Sequence, residues 1–322
     1  MRSIRKTLTV AVAAASVLAL AACSSQGGAQ AQSGATDQSY VVAMITHESP
    51  GDSFWDKVRA GAEQAAGELN VELRYSNNPD GGQQATLVQN AIDSQVDGIA
   101  VTLSQAAQVG PAAQRAVDAG IPTVAFNSGI EEYPTYGIGM YFGSDETLAG
   151  RTAGERIAEA GGGRTLCVIH EQGSVSLEAR CAGVLATSPD TENLQVNGTD
   201  LPSVQQTIGA KLQQDPSITH VVTLGAPVAL AASQATAETG SRAEIITFDL
   251  NSDVATAVQD GRISFSIDQQ PYVQGYMSVQ SLWLNLTNGN DLGGGLPVLT
   301  GPSVVDSSNI AEIAGYAANN TR

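Results

Sequence analysis

The sequence predicts an α/β protein made of two doubly wound, parallel-sheet lobes. From Val41 onward, short apolar runs alternate with amphipathic helical stretches, the pattern of βα units stacked into parallel sheets. About ten strands can be read this way, more than one small doubly wound sheet comfortably holds, so two similar lobes follow. The chain has 322 residues, 42% of them hydrophobic, enough to give each lobe its own core.

The first unit sets the terms for the rest. Val41-Val42-Ala43-Met44-Ile45 is an apolar run suited to a strand buried on both faces. Pro50 and Gly51 stop it, and Asp52 or Ser53 can cap the helix that follows. That helix opens with Phe54-Trp55 and carries Val58, Ala62, Ala65, Ala66 and Leu69 on one face. Only one of the two rings is expected to enter the core, leaving the other for the crevice at the carboxyl ends of the strands, where open parallel sheets bind ligands. Val71 to Tyr75 alternates enough to lie near a sheet edge, and Gln83 to Ser94 is helical. Gly98 to Leu103 is a buried strand. A helix from Val109 to Ala119 stops at Gly120, and Ile121 to Asn127 contains the next strand.

After a looser stretch over Ile130 to Gly139, Tyr141-Phe142-Gly143 and a helix from about Asp145 to Ala160 resume the pattern. The run Gly161-Gly162-Gly163 ends that helix. Further strands are expected at Thr165–Ile169, Leu194–Val196, His220–Leu224, Ile245–Phe248 and Ile263–Ile267, each followed by a helix. The helix from Pro271 to Asn288 carries Trp283, which suits a core position better than a ligand contact.

The first residues belong to targeting, not to the fold. Arg2, Arg5 and Lys6 precede an apolar stretch from Leu8 to Ala22 that is short for a membrane span and reads as an export signal over residues 1–22. It ends in Leu20-Ala21-Ala22-Cys23, the pattern of a bacterial lipoprotein precursor in which the cysteine is acylated. Residues 23–39, rich in Gly, Ser, Ala and Gln, read as a flexible tether. The formal charge is −17, and losing the signal makes it more negative, which argues against nucleic acid as a partner. Besides Cys23, only Cys167 and Cys181 remain, and in an exported protein such a pair favours a disulfide, with two buried thiols as the alternative. His47, His170 and His220 are scattered and build no metal site by spacing.

Catalytic signatures are scarce: there is no nucleophile elbow, no phosphate loop and no dinucleotide fingerprint. Polar residues placed just past strand ends stand out instead. Thr102, Asn127, Asp249 and the Asp268-Gln269-Gln270 run occupy such places, and Arg180 lies in the helix after the Ile169 strand. Carboxylate and amide oxygens accept from one hydroxyl while Arg or an amide nitrogen donates to its neighbour, and aromatic rings cover apolar C–H faces. The set suits a polyhydroxylated ligand. A structural role stays open for each: Asp249 can cap the helix near Ser252, and Arg180 can sit on the surface.

With these residues in view, the chain resembles the solute-binding proteins of the ribose/galactose-binding type (periplasmic-binding fold type I) that feed sugar ABC importers. The likeness runs from Tyr40 to Val305. Asp52-Ser53-Phe54-Trp55 matches the family's Asn-Pro-aromatic-aromatic motif, and the Ile121-Pro122 strand ends in the ligand position at Asn127. Glu178-Ala179-Arg180 matches the Arg-bearing helix, Thr247-Phe248-Asp249 the Gly-Phe-Asp motif, and Gln269-Gln270-Pro271 the Gln-x-Pro crossover. Three departures, Thr102, Ser128 and Gly225 where Asn, Arg and Asn are common, point away from ribose toward a hexose, inositol or other polyol.

The resemblance implies a three-stranded hinge with crossovers near Ser144, Gln269 and Thr300. The first lobe then comprises 40–143 plus 270–300, and the second 144–269 plus 301–322. It implies no enzymatic activity and no cofactor, a monomer, and a neutral monosaccharide or polyol held by Asp52, Phe54, Trp55, Thr102, Asn127, Arg180, Asp249 and Gln269 for delivery to a membrane permease. A receptor for another small solute, such as a nucleoside or autoinducer, is the alternative. A sugar-active enzyme needs two facing carboxylates, for which Asp249 and Asp268 are the one plausible pair. If Arg180 and Asp249 hold ligand, replacing either with Ala is expected to weaken binding by roughly 2–5 kcal/mol and to leave the empty protein's stability unchanged.

Overall fold

A computed structural model describes residues 39–322. The expected signal, Cys23 and the tether up to residue 38 lie outside the described residues. The first lobe begins with β1 (Tyr40–Thr46), α1 (Phe54–Leu69), β2 (Val71–Asn77), α2 (Gly81–Asp93), β3 (Gly98–Val101), α3 (Ala106–Asp118), β4 (Thr123–Phe126) and β5 (Met140–Ser144). The second lobe follows with α4 (Glu146–Glu159), β6 (Arg164–Ile169), α5 (Val175–Thr187), β7 (Thr191–Gln195) and α6 (Leu201–Gln214). It continues through β8 (Ile218–Thr223), α7 (Ala226–Thr239), β9 (Glu244–Phe248), α8 (Ser252–Gln259) and β10 (Phe265–Asp268). The chain returns to the first lobe through α9 (Pro271–Asn288) and β11 (Val298–Gly301), then ends in the second with β12 (Ser303–Asp306) and α10 (Ile310–Ala318).

Each lobe is a six-stranded sheet, ordered β11-β5-β4-β3-β1-β2 and β12-β10-β9-β8-β6-β7. All pairs are parallel except β10 with β12. Parallel sheets need both faces covered. Accordingly Val42, Met44, Phe126 and Phe142 pack beneath α1 and α9, while Ala43, Ile45, Ile99 and Val101 pack under α2 and α3. The strand read at Val71–Tyr75 is indeed the sheet edge, and Trp283 packs partly buried against the first-lobe core. The short strands β11 and β12 are not legible in the sequence. Each has four residues and one buried side chain, too few to show a period.

The helix crossings that fix the second lobe near its cleft are unusually close. A Cβ on Gly150 of α4 would collide with the carbonyl of Arg180 on α5, and one on Gly183 of α5 would collide with that of Thr147. Glycine on both helices lets α4 and α5 touch backbone to backbone, which brings the amino end of α4 to the side chain of Arg180. Within the same lobe, Cys167 of β6 and Cys181 of α5 are joined by a disulfide with their Cα atoms 5.9 Å apart.

Candidate ligand-binding cleft

The strands of both lobes point their carboxyl ends at one cleft of about 650 Å³. Of the residues singled out from the sequence, Asp52, Phe54, Trp55, Asn127, Arg180, Asp249 and Gln269 all line it.

Phe54 and Trp55 are only 7% and 3% exposed, and both belong to the first-lobe core while bordering the cleft. The expectation that one ring alone would turn inward is therefore corrected. The rings meet edge to face at 5.0 Å, so both can pack inward and still present a surface to the cleft. The Asp52 side chain accepts from the Phe54 N–H (3.0 Å), which fixes the turn into α1. Burial raises the Asp52 carboxyl to about 6, against the hydrogen bond from Phe54.

Asn127 and Asp249 occupy matching places, each one residue past a central strand and each with left-handed backbone (φ 63° and 66°). Asn and Asp tolerate that conformation better than most side chains. Gln269, at the hinge, joins them. It accepts from Asn127 Nδ2 (3.2 Å) and donates to Asp249 Oδ1 (2.8 Å). Asn127 Nδ2 also donates to Gln274 (3.2 Å), so Asn127 Oδ1 and Asp249 Oδ2 are the oxygens left for a ligand. Asp249 does not cap α8, because Asn251 does so through Val254 N (2.8 Å). Burial raises the Asp249 carboxyl to about 7, although the Arg180 charge works in the opposite direction.

Arg180 is neither a surface residue nor a partner of Asp249. Its Nε and Nη2 donate to the two oxygens of Glu146 (2.5 and 3.0 Å), and its Nη1 donates to Leu224 O (3.0 Å). Both members of this pair are almost wholly buried. Two of the five guanidinium N–H groups remain for a ligand. The expectation that removing Arg180 would leave the empty protein's stability unchanged is thereby corrected, since its loss strands a buried carboxylate.

Thr102 does not line the cleft. Its hydroxyl accepts from the His47 N–H (3.2 Å) and from Gln84 Nε2 (3.0 Å), so its own proton goes to His47 Nδ1 (2.7 Å). Thr102 thus orients His47, which packs edge-on against Trp55 (4.7 Å) and takes the cleft position itself. Asp268 also fails to border the cleft. It is fully buried and paired with Arg322 (2.5 Å), so no two facing carboxylates are formed by Asp249 and Asp268.

Sequence reasoning missed His47, His170, Glu171 and Glu146. The signal was available for the two histidines, which directly follow β1 and β6 as Asn127 and Asp249 follow their strands. Burial lowers both imidazoles, His170 to about 4, so the rings are neutral at ordinary pH. Among the described residues, no cluster of His, Cys, Asp or Glu is arranged to hold a metal.

The lobes touch across the cleft. Ser104 donates to Glu171 Oε1 (2.7 Å) and its carbonyl accepts from Val175 N (3.0 Å), while Ser128 meets Ser176 (2.5 Å) and Asn251 Nδ2 donates to Ser53 (3.3 Å). These hydrogen bonds bridge the two lobes beside the cleft. Residues 42–291 match the family model for the periplasmic binding protein domain. The chain belongs to that family.

Among solved structures, it is similar to a carbohydrate transporter from Acidothermus cellulolyticus 11B determined in complex with myo-inositol. The two are 51% identical with a TM-score of 0.87, covering 88% of this chain and 100% of that one. A solute-binding protein of an ABC transporter from Burkholderia graminis C4D1M, in complex with D-arabinose, is 25% identical with a TM-score of 0.75, covering 84% and 96%. The xylose/arabinose-binding protein XylF of Sulfolobus acidocaldarius is 25% identical over 262 residues, 76% of this chain. The match spans 65% of that relative's length.

Proposed function

We propose that this chain is an extracytoplasmic, lipid-anchored solute-binding protein that captures a neutral polyol or monosaccharide between its lobes and delivers it to an ABC importer. The observation that carries the proposal is the donor and acceptor balance of the cleft between the lobes. Asn127 and Asp249 offer acceptors, Arg180 offers two free N–H groups, and the Phe54-Trp55 pair supplies apolar surface. Adjacent hydroxyls on a ring with apolar C–H faces satisfy all three. A carboxylate ligand would meet Asp52 and Asp249, and Arg180 is already neutralised by Glu146. The likeness to a protein solved with myo-inositol makes cyclic polyols the first compounds to try.

A thermal-shift screen of the mature protein with myo-inositol, D-arabinose, D-xylose and D-allose, followed by calorimetric titration, tests the reading. A ligand at 100 times its Kd stabilises by about 2.7 kcal/mol, which a melting shift registers easily. Absence of any shift and of any titration heat across the panel would sink the proposal. The anchor has its own test, motivated by the Leu20-Ala21-Ala22-Cys23 boundary. Cys23→Ala should leave uncleaved precursor or release the protein from the membrane fraction; a mature-size lipid adduct in that variant would exclude Cys23 as the site.

A further inference from the structure

Between β8 and α7 the cleft wall thins to a backbone at Gly225, and two side chains converge on the space above it. The position a Cβ would take on Gly225 lies 3.2 Å from His170 Cε1, 3.5 Å from His170 Nε2 and 3.9 Å from Asp249 Oδ2. All three residues line the cleft. The His170 ring is held from its other side as well. A Cβ on Gly198 would come within 2.9 Å of His170 Cδ2, and Gly198 N donates to His170 O (2.9 Å). The imidazole therefore stands between two glycine backbones, fixed without a side-chain hydrogen bond. Its Nδ1 is buried and has no partner in the protein.

We infer that His170 is a specificity-determining ligand contact, which together with Asp249 clasps one ligand hydroxyl in the niche over Gly225. The inference rests on the polyol reading above and adds a residue and a subsite to it. A hydroxyl in the niche donates to Asp249 Oδ2 and accepts from His170 Nε2–H, using one donor and one acceptor at once. Asp249 Oδ1 is already taken by Gln269, so Oδ2 is the oxygen free for that bond. With the ring proton on Nε2, Nδ1 is a bare acceptor, and no buried N–H is left without a partner. The ring is neutral because burial, with the nearby Arg180 charge, opposes its protonation. A ligand that lacks a hydroxyl at this place leaves the His170 Nε2–H and Asp249 Oδ2 desolvated and without a partner. That penalty discriminates more sharply than loss of an apolar contact. A methyl at 225 would stand 3.2 Å from the His170 ring and fill part of the niche that the hydroxyl needs.

Calorimetric titration of wild type, His170→Ala and Gly225→Ala against myo-inositol, its epimer scyllo-inositol, D-xylose and D-arabinose tests this, with the melting temperature of each empty protein as control. For the tightest ligand of the panel, His170→Ala should lose roughly 10- to 100-fold in affinity and narrow the spread of affinities across the panel. Gly225→Ala should lose at least as much. Both empty variants should melt within about 2 °C of wild type, because His170 makes no side-chain hydrogen bond and lies outside the apolar cores, and the extended backbone at 225 suits alanine. Affinities within about twofold of wild type for every ligand in His170→Ala would overturn the inference and leave the polyol reading standing. So would a loss of affinity matched by a large fall in the empty protein's melting temperature. Should His170→Ala fail to fold, unchanged affinity in Gly225→Ala overturns the inference and a loss supports it. A wild-type protein that binds nothing in the panel overturns the polyol reading and this inference together.

Discussion

On the first-lobe side of the cleft, Phe54 and Trp55 continue a core that runs through Met44, Phe126 and Phe142. On the second-lobe side, the corresponding depth is occupied by the Glu146–Arg180 ion pair, with Asp249 and His170 beside it. The first face is held by area removed from water, which needs no partner and no fixed geometry. The second is held by charged and polar groups that each cost free energy to bury unless another group answers them. A binding cleft can thus combine a surface that is finished before ligand arrives with one that is left incomplete on purpose. Arg180 retains two donors and Asp249 one oxygen, and these are the groups a ligand completes.

The contrast can be broken most forcefully at Glu146. Glu146→Ala leaves the Arg180 guanidinium buried without its carboxylate, and the empty protein should lose about 3–5 kcal/mol in urea unfolding. A loss below about 1 kcal/mol would mean that the pair is effectively solvated. Next in size is the disulfide, which ties β6 to α5 as the ion pair ties α4 to it. Cys167 and Cys181 are 14 residues apart, and in the chain-entropy model a loop of that length contributes about 3 kcal/mol. Reduction, or the double change Cys167→Ser and Cys181→Ser, should lower the denaturation midpoint accordingly, and two titratable thiols in the unfolded, unreduced protein would refute the bond.

A smaller and opposite pair of effects belongs to Asp249. Asp249→Asn should weaken ligand binding by about 2 kcal/mol, since a charged acceptor is replaced by a weaker one, and should leave the empty protein as stable or more so. A fall in empty-protein stability with unchanged affinity would make Asp249 a structural residue. Smallest is the pH response. Burial raises Asp52 and Asp249 from 3.8 to about 6 and about 7. With folded values above unfolded ones, their contribution to stability is fully present below pH 3.8 and is lost as pH rises through 6 to 7. Ligand affinity should run the other way, increasing by about tenfold from pH 5.5 to 8, because a donated hydroxyl favours the carboxylate. Melting curves with and without ligand across that range check both signs at once.

Sequence patterns alone determined the alternation of strands and helices and the division into two lobes, and favoured a disulfide between Cys167 and Cys181 without deciding it. They also located Asn127 and Asp249, because hydrophobic period and strand-end position are properties of short segments. Tertiary structure decided which polar groups answer one another. Glu146 and Arg180 meet across 34 residues because glycines let α4 and α5 touch, a contact that no helical period foretells. Asn127 and Gln269 meet across 142 residues at the hinge, and Thr102 is diverted from the cleft to His47 by the way β1 and β3 pair. The composition of a site on strand ends is local information. The pairing of its charges and hydrogen bonds depends on how two lobes and their helices approach, and burial makes those pairings obligatory.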